Sequence, residues 1–220
     1  MKFNVTRLLR LVPVLALLHL TACAQNSIKN SQKEQAPISD SELSLEEALG
    51  TQDIPEDIRA SLAIIDVDYY SFDGKLHRGQ LVIHKDLQED VLEVFRELKK
   101  DKFPIASVIP ISKYKFSDQL SMAENNTSAF NYRVIEGKTT LSNHALGRAI
   151  DINPFLNPYV RNGTVEPLGA KYDPGVPGTI VTDGIVVNAF KQRGWSWGGT
   201  WNSLKDYQHF EKQGPAKPDH

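Results

Sequence analysis

A single cysteine, Cys23, stands among 220 residues. One thiol excludes an intrachain disulfide and any cysteine-rich metal site, so a packed apolar core has to hold the fold. A chain of 220 residues is long enough for one ordinary domain plus an appendage. Hydrophobic residues make up 40% and charged residues 24%, the balance of a globular chain rather than a disordered one. The formal net charge is −2, and no basic stripe runs along the sequence. Neutralising phosphates needs a strong Lys/Arg excess, so no nucleic-acid partner is expected.

The cysteine also marks a boundary. Lys2, Arg7 and Arg10 precede an apolar run from Leu11 to Leu20, which is too short to span a bilayer as a mature helix. It ends in Leu20-Thr21-Ala22-Cys23, which resembles a bacterial lipobox. Residues 1–22 therefore read as a lipoprotein signal peptide and Cys23 as the lipidation site, the alternative being a plain secretory signal with an incidental cysteine. Ala24 follows the cysteine in place of Asp. By resemblance to diderm lipoproteins, that favours a chain anchored to the outer membrane of the cell envelope and facing the periplasm. From Ala24 to about Ser41 the sequence is rich in Ser, Asn, Gln and Lys and cannot bury enough surface to offset ordering entropy. Residues 23–54 are expected to be the lipidated cysteine and a flexible linker, with a capping box at Ser44-Leu45-Glu46-Glu47 that can start a short helix. Residues 213–220 are expected to form a mobile tail.

The remaining span, 55–212, mixes two periodicities. Leu62 to Tyr70 is rich in Ile, Val and Tyr and predicts a strand. Asp73-Gly74 is a hairpin-turn signal, with Gln80 to His84 as the returning strand. Leu87, Val91, Val94, Phe95 and Leu98 recur at helical spacing and predict an amphipathic helix over 86–100. Ile105 to Ile111 predicts a strand interrupted by Pro110. Ile185, Val186, Ala189 and Phe190 predict a second helix with Gly194 just past its end. Short strands are expected around Ala149–Ile152 and Tyr207–Phe210. The fold class is α+β: a single compact domain with a small antiparallel sheet flanked by helices.

Two of the six histidines lie in unusual company. His144 stands in Ser142-Asn143-His144-Ala145-Leu146-Gly147-Arg148-Ala149-Ile150-Asp151, and His209 in Asp206-Tyr207-Gln208-His209-Phe210-Glu211. Neutral imidazole and carboxylate are both zinc ligands. Asp151 sits among Ala149, Ile150 and Ile152, where an ionised carboxylate is costly unless paired or bound to a cation. A straight strand would put His144 and Asp151 on opposite faces, because their spacing is odd, but Gly147 supplies a turn between them. The bland reading keeps Asp151 as a turn cap and His144 as a loop residue. With His209 the set becomes three ligands, the number that leaves a fourth position open in catalytic zinc sites. Water held by such an ion has a pKa of roughly 7, and a general base is still needed to take its proton. Asp206 is the candidate. Glu211 is set aside because it follows His209 and is expected on a different side. The tryptophans at 195, 197 and 201 read as core packing.

The ordered pair Ser142-x-His144-x-x-Gly147-x-Ala149-x-Asp151 and Asp206-x-x-His209 resembles the D-alanyl-D-alanine carboxypeptidase and L-alanyl-D-glutamate endopeptidase family of zinc peptidases. The stretch Asn125 to Arg133, Asn157-Pro158-Tyr159 and Trp197-Gly198-Gly199 resemble a subgroup of it, so the likeness extends from roughly His77 to Glu211. The resemblance implies His144, Asp151 and His209 as zinc ligands at one face of the sheet, and Asp206 as the catalytic acid/base. It implies Arg133 as the cation that steadies the substrate carbonyl and its oxyanion. Ser142 is a candidate for positioning substrate or a ligand, with a turn role as the alternative. Two features depart from the family: many members carry Glu where this chain has Asp206, and Arg133 lies only eleven residues before His144.

The implied function is zinc-dependent hydrolysis of amide bonds in peptidoglycan stem peptides, D,D-carboxypeptidase-like or L-alanyl-D-glutamate endopeptidase-like. The alternative is a non-catalytic peptidoglycan-binding lipoprotein that retains the fold. Expected partners are peptidoglycan peptides and a membrane reached through Cys23. The anchor has a direct test: a Cys23→Ser protein is expected in the soluble fraction after cell disruption, and its retention in washed membranes would count against lipidation.

Overall fold

The structure is a computed structural model that describes residues 1–2 and 36–214. Cys23, the signal-peptide segment and residues 215–220 of the tail lie outside the described residues. Among the described residues, no helix is long and apolar enough to cross a membrane.

The expected linker ends earlier than position 54. Strand β1 (Ile38–Ser39) runs parallel to the edge of the first sheet, with Ile38 opposite His77 and Ser39 opposite Arg78. Helix α1 (Leu45–Leu49) starts on the capping box read from the sequence. The Ser44 hydroxyl accepts from the Glu47 N–H, and the Glu47 carboxylate accepts from the Ser44 N–H at 2.8 Å. Ala48 and Leu49 are buried with Ile54, with Ile58 of α2 (Glu56–Ser61), and with Leu62, Val82 and Phe130. The polar composition before Ser41 misled the boundary. Leu43, Leu45, Ala48, Leu49 and Ile54 supply enough apolar area to offset the ordering of this segment.

Alternation then builds the main hairpin. Strand β2 (Leu62–Tyr70) buries Leu62, Ile65, Val67 and Tyr69, and it pairs antiparallel with β3 (Leu76–His84) from Leu62 opposite His84 to Tyr70 opposite Leu76. Gly74 closes the turn at a φ of 75°, open to glycine at no steric cost. The returning strand is longer than the Gln80–His84 expected. Helix α3 (Gln88–Asp101) lays Val91, Val94, Phe95 and Leu98 against β2 and ends on Lys102 in the left-handed conformation. Only β4 (Ser107–Val108) of the expected 105–111 strand forms, because Pro110 removes a ladder donor and opens a 3₁₀ turn at Ile111. Helix α4 (Asp118–Ala123), capped by Ser117, leads into β5 (Asn126–Thr127), which lies parallel to β4.

The C-terminal half carries two further small sheets. One joins β6 (Ala149–Asp151), β9 (Ser196–Trp197) and β11 (His209–Glu211), with β11 central. The other joins β7 (Tyr159–Arg161), β8 (Thr164–Glu166) and β10 (Lys205–Asp206), with β7 central. Helix α5 (Ile185–Lys191) packs against α3, and its Phe190 ring stacks on Phe210 at 4.2 Å between centroids. Ile150, Phe210 and Trp197 join the core of the β2–β3–α3 layer, so the inner face of β6–β11–β9 is anchored in the domain interior. Mixed small sheets with helices packed on them make an α+β domain, as the periodicities predict.

The burial of α1 has a consequence for stability. Leu49→Ala is expected to lower unfolding free energy by about 2–4 kcal/mol, as for other fully buried leucines. Urea denaturation checks it: an unchanged midpoint would mean that residues 36–54 contribute nothing to the fold.

Candidate metal centre

The odd spacing between His144 and Asp151 is resolved by a turn. Ser142 caps a 3₁₀ turn over Asn143–Leu146, its hydroxyl accepting from the His144 N–H at 3.3 Å. Gly147 ends it at a φ of 62°. A β-carbon there would lie 2.6 Å from the His84 backbone nitrogen, so both the dihedral and the space call for glycine. The chain then enters β6, whose Ile150 points into the core while Asp151 points to the other face. In β11, Phe210 takes the core side and His209 the opposite one. The register sets His209 directly across from Asp151.

The result is a tight buried group. The His209 Nδ1 lies 3.0 Å from Asp151 Oδ1 and 3.2 Å from His144 Nε2, and His144 Nε2 lies 3.3 Å from Asp151 Oδ2. One donor atom from each of the three residues falls within 4.8 Å of the others. Both histidines are buried and Asp151 nearly so. The outward ring nitrogens are also held. His144 Nδ1 meets the Ala129 carbonyl, and His209 Nε2 meets the Glu211 carboxylate at 3.1 Å. The Trp201 ring lies 5.4 Å from that of His209, centroid to centroid.

Asp206 reaches the same neighbourhood from β10, opposite Tyr159. Its Oδ1 is shut from solvent and has no hydrogen-bond partner among the described residues. A β-carbon on Gly198 would stand 2.6 Å from the Asp206 carbonyl oxygen and 2.8 Å from its Cβ, so position 198 calls for glycine because Asp206 packs on it, whereas Gly199 is held against the Trp197 ring.

These groups shift one another. Burial lifts the Asp206 carboxyl, and with Asp151 adding to that rise against the pull of the histidines it stands at about 6. Burial alone would lift Asp151 as well, but His144 and His209 outweigh it and hold the carboxyl well below the usual carboxylate range. His209 is pulled down by burial and raised by its bonds to Asp151 and Glu211, ending at about 10.

Sequence reasoning also assigned Arg133 and Ser142. Ser142 is the turn cap just described. Arg133 offers its carbonyl to the Ser142 N–H at 3.1 Å, but its guanidinium is ion-paired with Asp118 of α4. None of its described contacts reaches the three clustered residues. Glu211, two residues on in the strand, shares the face of His209 and touches its Nε2, on the side of the ring away from Asp151 and His144. Sequence reasoning missed Asn143, Ala129 and Glu211 as supports. Strand periodicity from His209 would have found Glu211. A carbonyl contact such as Ala129 leaves no mark on residue type.

A family model described as D-alanyl-D-alanine carboxypeptidase matches residues 136–212, a little over a third of the chain. No curated protein and no solved structure matches the sequence. The matched span holds Ser142, His144, Asp151, Asp206 and His209 and stops short of Arg133, so the likeness has support over the site and not over the wider stretch from His77.

The donor set suits zinc. Two imidazole nitrogens and one carboxylate converge from one side, each imidazole is oriented through its other nitrogen, and the cluster is buried. A cation there must displace the proton that His209 holds below about pH 10. Loading at pH 7 is therefore expected to release about one proton, with affinity rising roughly tenfold per pH unit until His209 is neutral. Titration calorimetry in buffers of different ionisation enthalpy checks it, and zinc binding without proton release would contradict it.

Proposed function

We propose that this protein is a zinc-dependent peptidase that hydrolyses amide bonds in peptidoglycan stem peptides, as a D,D-carboxypeptidase-like or L-alanyl-D-glutamate endopeptidase-like enzyme. The observation that carries this reading is the meeting of His144, Asp151 and His209 near Asp206, whose Oδ1 is buried without a hydrogen-bond partner among the described residues, all inside the span matched by the carboxypeptidase family model. In the same reading, a lipid at Cys23 tethers the enzyme to the outer membrane, within reach of the wall.

Zinc held by the three residues would supply Lewis acidity toward the attacking water and the scissile carbonyl. The rest falls to the chain. Asp206 accepts the proton of the attacking water at its carboxylate, whose Oδ1 has no partner among the described residues, and returns a proton to the leaving nitrogen. A carboxyl at about 6 suits both acts, since it is ionised at neutral pH yet holds a proton long enough to deliver it. Gly198 keeps that carboxylate in place by leaving room for its backbone. The oxyanion role implied for Arg133 requires its guanidinium to exchange Asp118 for substrate.

Purified peptidoglycan with mass spectrometry of the products is the test. Loss of a terminal alanine marks the carboxypeptidase form and an internal cut the endopeptidase form, while binding without any cleavage would sink the enzymatic reading. Asp206→Ala is expected to keep zinc and lose at least about a hundredfold in kcat. For the parent enzyme, kcat/KM should fall tenfold per pH unit below about 6, because Asp206 must be ionised to act as base and its raised pKa moves that loss up from the ordinary Asp range. An Asp206→Ala enzyme as fast as the parent would rule Asp206 out as the base.

A further inference from the structure

Glu211 and Asn143 have no place in the mechanism above, yet they join the two segments that carry the histidines. Asn143 precedes His144 in the 3₁₀ turn, and Glu211 follows His209 by two residues on the same face of β11. The Asn143 side-chain amide donates to Glu211 Oε2 at 2.6 Å, and that same oxygen lies 3.1 Å from His209 Nε2. Glu211 is about one-fifth exposed, so this oxygen is partly withdrawn from water.

The ring geometry gives the contact a direction. His209 Nδ1 faces Asp151 Oδ1 and His144 Nε2, so Nδ1 must present the lone pair to any cation shared by the three. A neutral imidazole with a free Nδ1 carries its proton on Nε2. Only an acceptor at Nε2 favours that tautomer, and the Glu211 carboxylate is the acceptor there. Glu211 also lies on the far side of the ring from the clustered donor atoms, with Oε2 already taken by two donors. It is therefore placed to orient His209 rather than to act on substrate.

The geometry points to Glu211 as the positioning residue of His209, clamped by Asn143, so that an Asn143–Glu211–His209 link fixes the tautomer and ring angle with which His209 meets a divalent cation. This rests on the reading of His144, Asp151 and His209 as metal ligands. The link crosses from the His144 turn to the His209 strand, so it sets the two imidazoles relative to one another as well as orienting one of them.

The test reads metal binding and not turnover. Apoprotein is titrated with Zn2+ against a chromophoric chelator, and the Co2+-loaded form is examined by visible absorption. Glu211→Gln keeps the shape and removes the charge. Asn143→Ala removes the clamp and leaves the carboxylate, and it reads the same link if the strand does not tolerate Gln. Glu211→Gln is expected to weaken Zn2+ binding about 10- to 100-fold, the usual effect of losing an outer partner of a ligand, and to shift the Co2+ bands. Asn143→Ala should move both in the same direction, and the double variant should lose less than the product of the single losses, because the two act as one unit. Parent affinity and an unchanged Co2+ spectrum in Glu211→Gln would overturn the positioning role while leaving the metal reading intact. A parent protein that takes up neither Zn2+ nor Co2+ would overturn both. Independent, fully multiplicative losses would overturn the link between Asn143 and Glu211.

Discussion

His209 and Asp151 face one another across the antiparallel pair β6–β11, and the rest of the site is built outward from that register. A one-residue slip of β11 would turn His209 into the core and bring Phe210 to the other face, and a slip of β6 would do the same to Asp151 and Ile150. Ile150 and Phe210 prevent it, since both are fully buried in the main core and Phe210 stacks on Phe190. The specificity of the polar face is thus enforced by the apolar one. His144 is added from outside the sheet, by a turn that Ser142 opens and Gly147 closes, and Ser128 extends the pairing by bonding the Asp151 backbone in both directions.

Charge explains why these groups tolerate each other. With both imidazoles neutral, Asp151, Glu211 and an ionised Asp206 would put up to three negative charges into one poorly hydrated region. That is costly without a counter-charge. A protonated His209 supplies one, and the low position of Asp151 is the reciprocal of that. A divalent cation satisfies the same demand with two charges in place of one. Proton and cation are therefore competitors for one electrostatic vacancy, and the bonds that raise His209 are the ones that would orient it toward a cation.

Much of this was legible in the sequence wherever periodicity or backbone chemistry leaves a mark on residue type. The alternation of Leu62–Tyr70, the helical spacing of Val91, Val94, Phe95 and Leu98, and the glycine at 147 led directly to β2, α3 and the turn. The start of the domain was not legible, because the polar run before Ser41 masks the few leucines that dock α1. The neighbourhood of Arg133 was not legible either. Its partner Asp118 lies on another element, and pairing between side chains distant in sequence has no local signature. The Ala129 carbonyl at His144 belongs to the same class, as a backbone atom whose position the fold alone decides.

Asp206 is the costliest member of the site. Its Oδ1, like the neighbouring Gln208 Oε1, has no hydrogen-bond partner among the described residues and is closed from solvent. Leaving a carboxylate oxygen unpaired costs on the order of 1–3 kcal/mol, more if it is charged. The fold maintains this arrangement deliberately in structural terms: β10 pins the backbone opposite Tyr159, and Gly198 leaves space that any side chain would fill. A purely structural acid would relax toward a donor or be replaced by an apolar residue of similar volume at lower free energy. An unpartnered acid held beside a group of cation ligands is instead the arrangement expected of a proton acceptor whose partner arrives with the substrate. The stability forgone at Asp206 is thus a physical feature of the domain itself that accords with the proposed role of this carboxylate as a base.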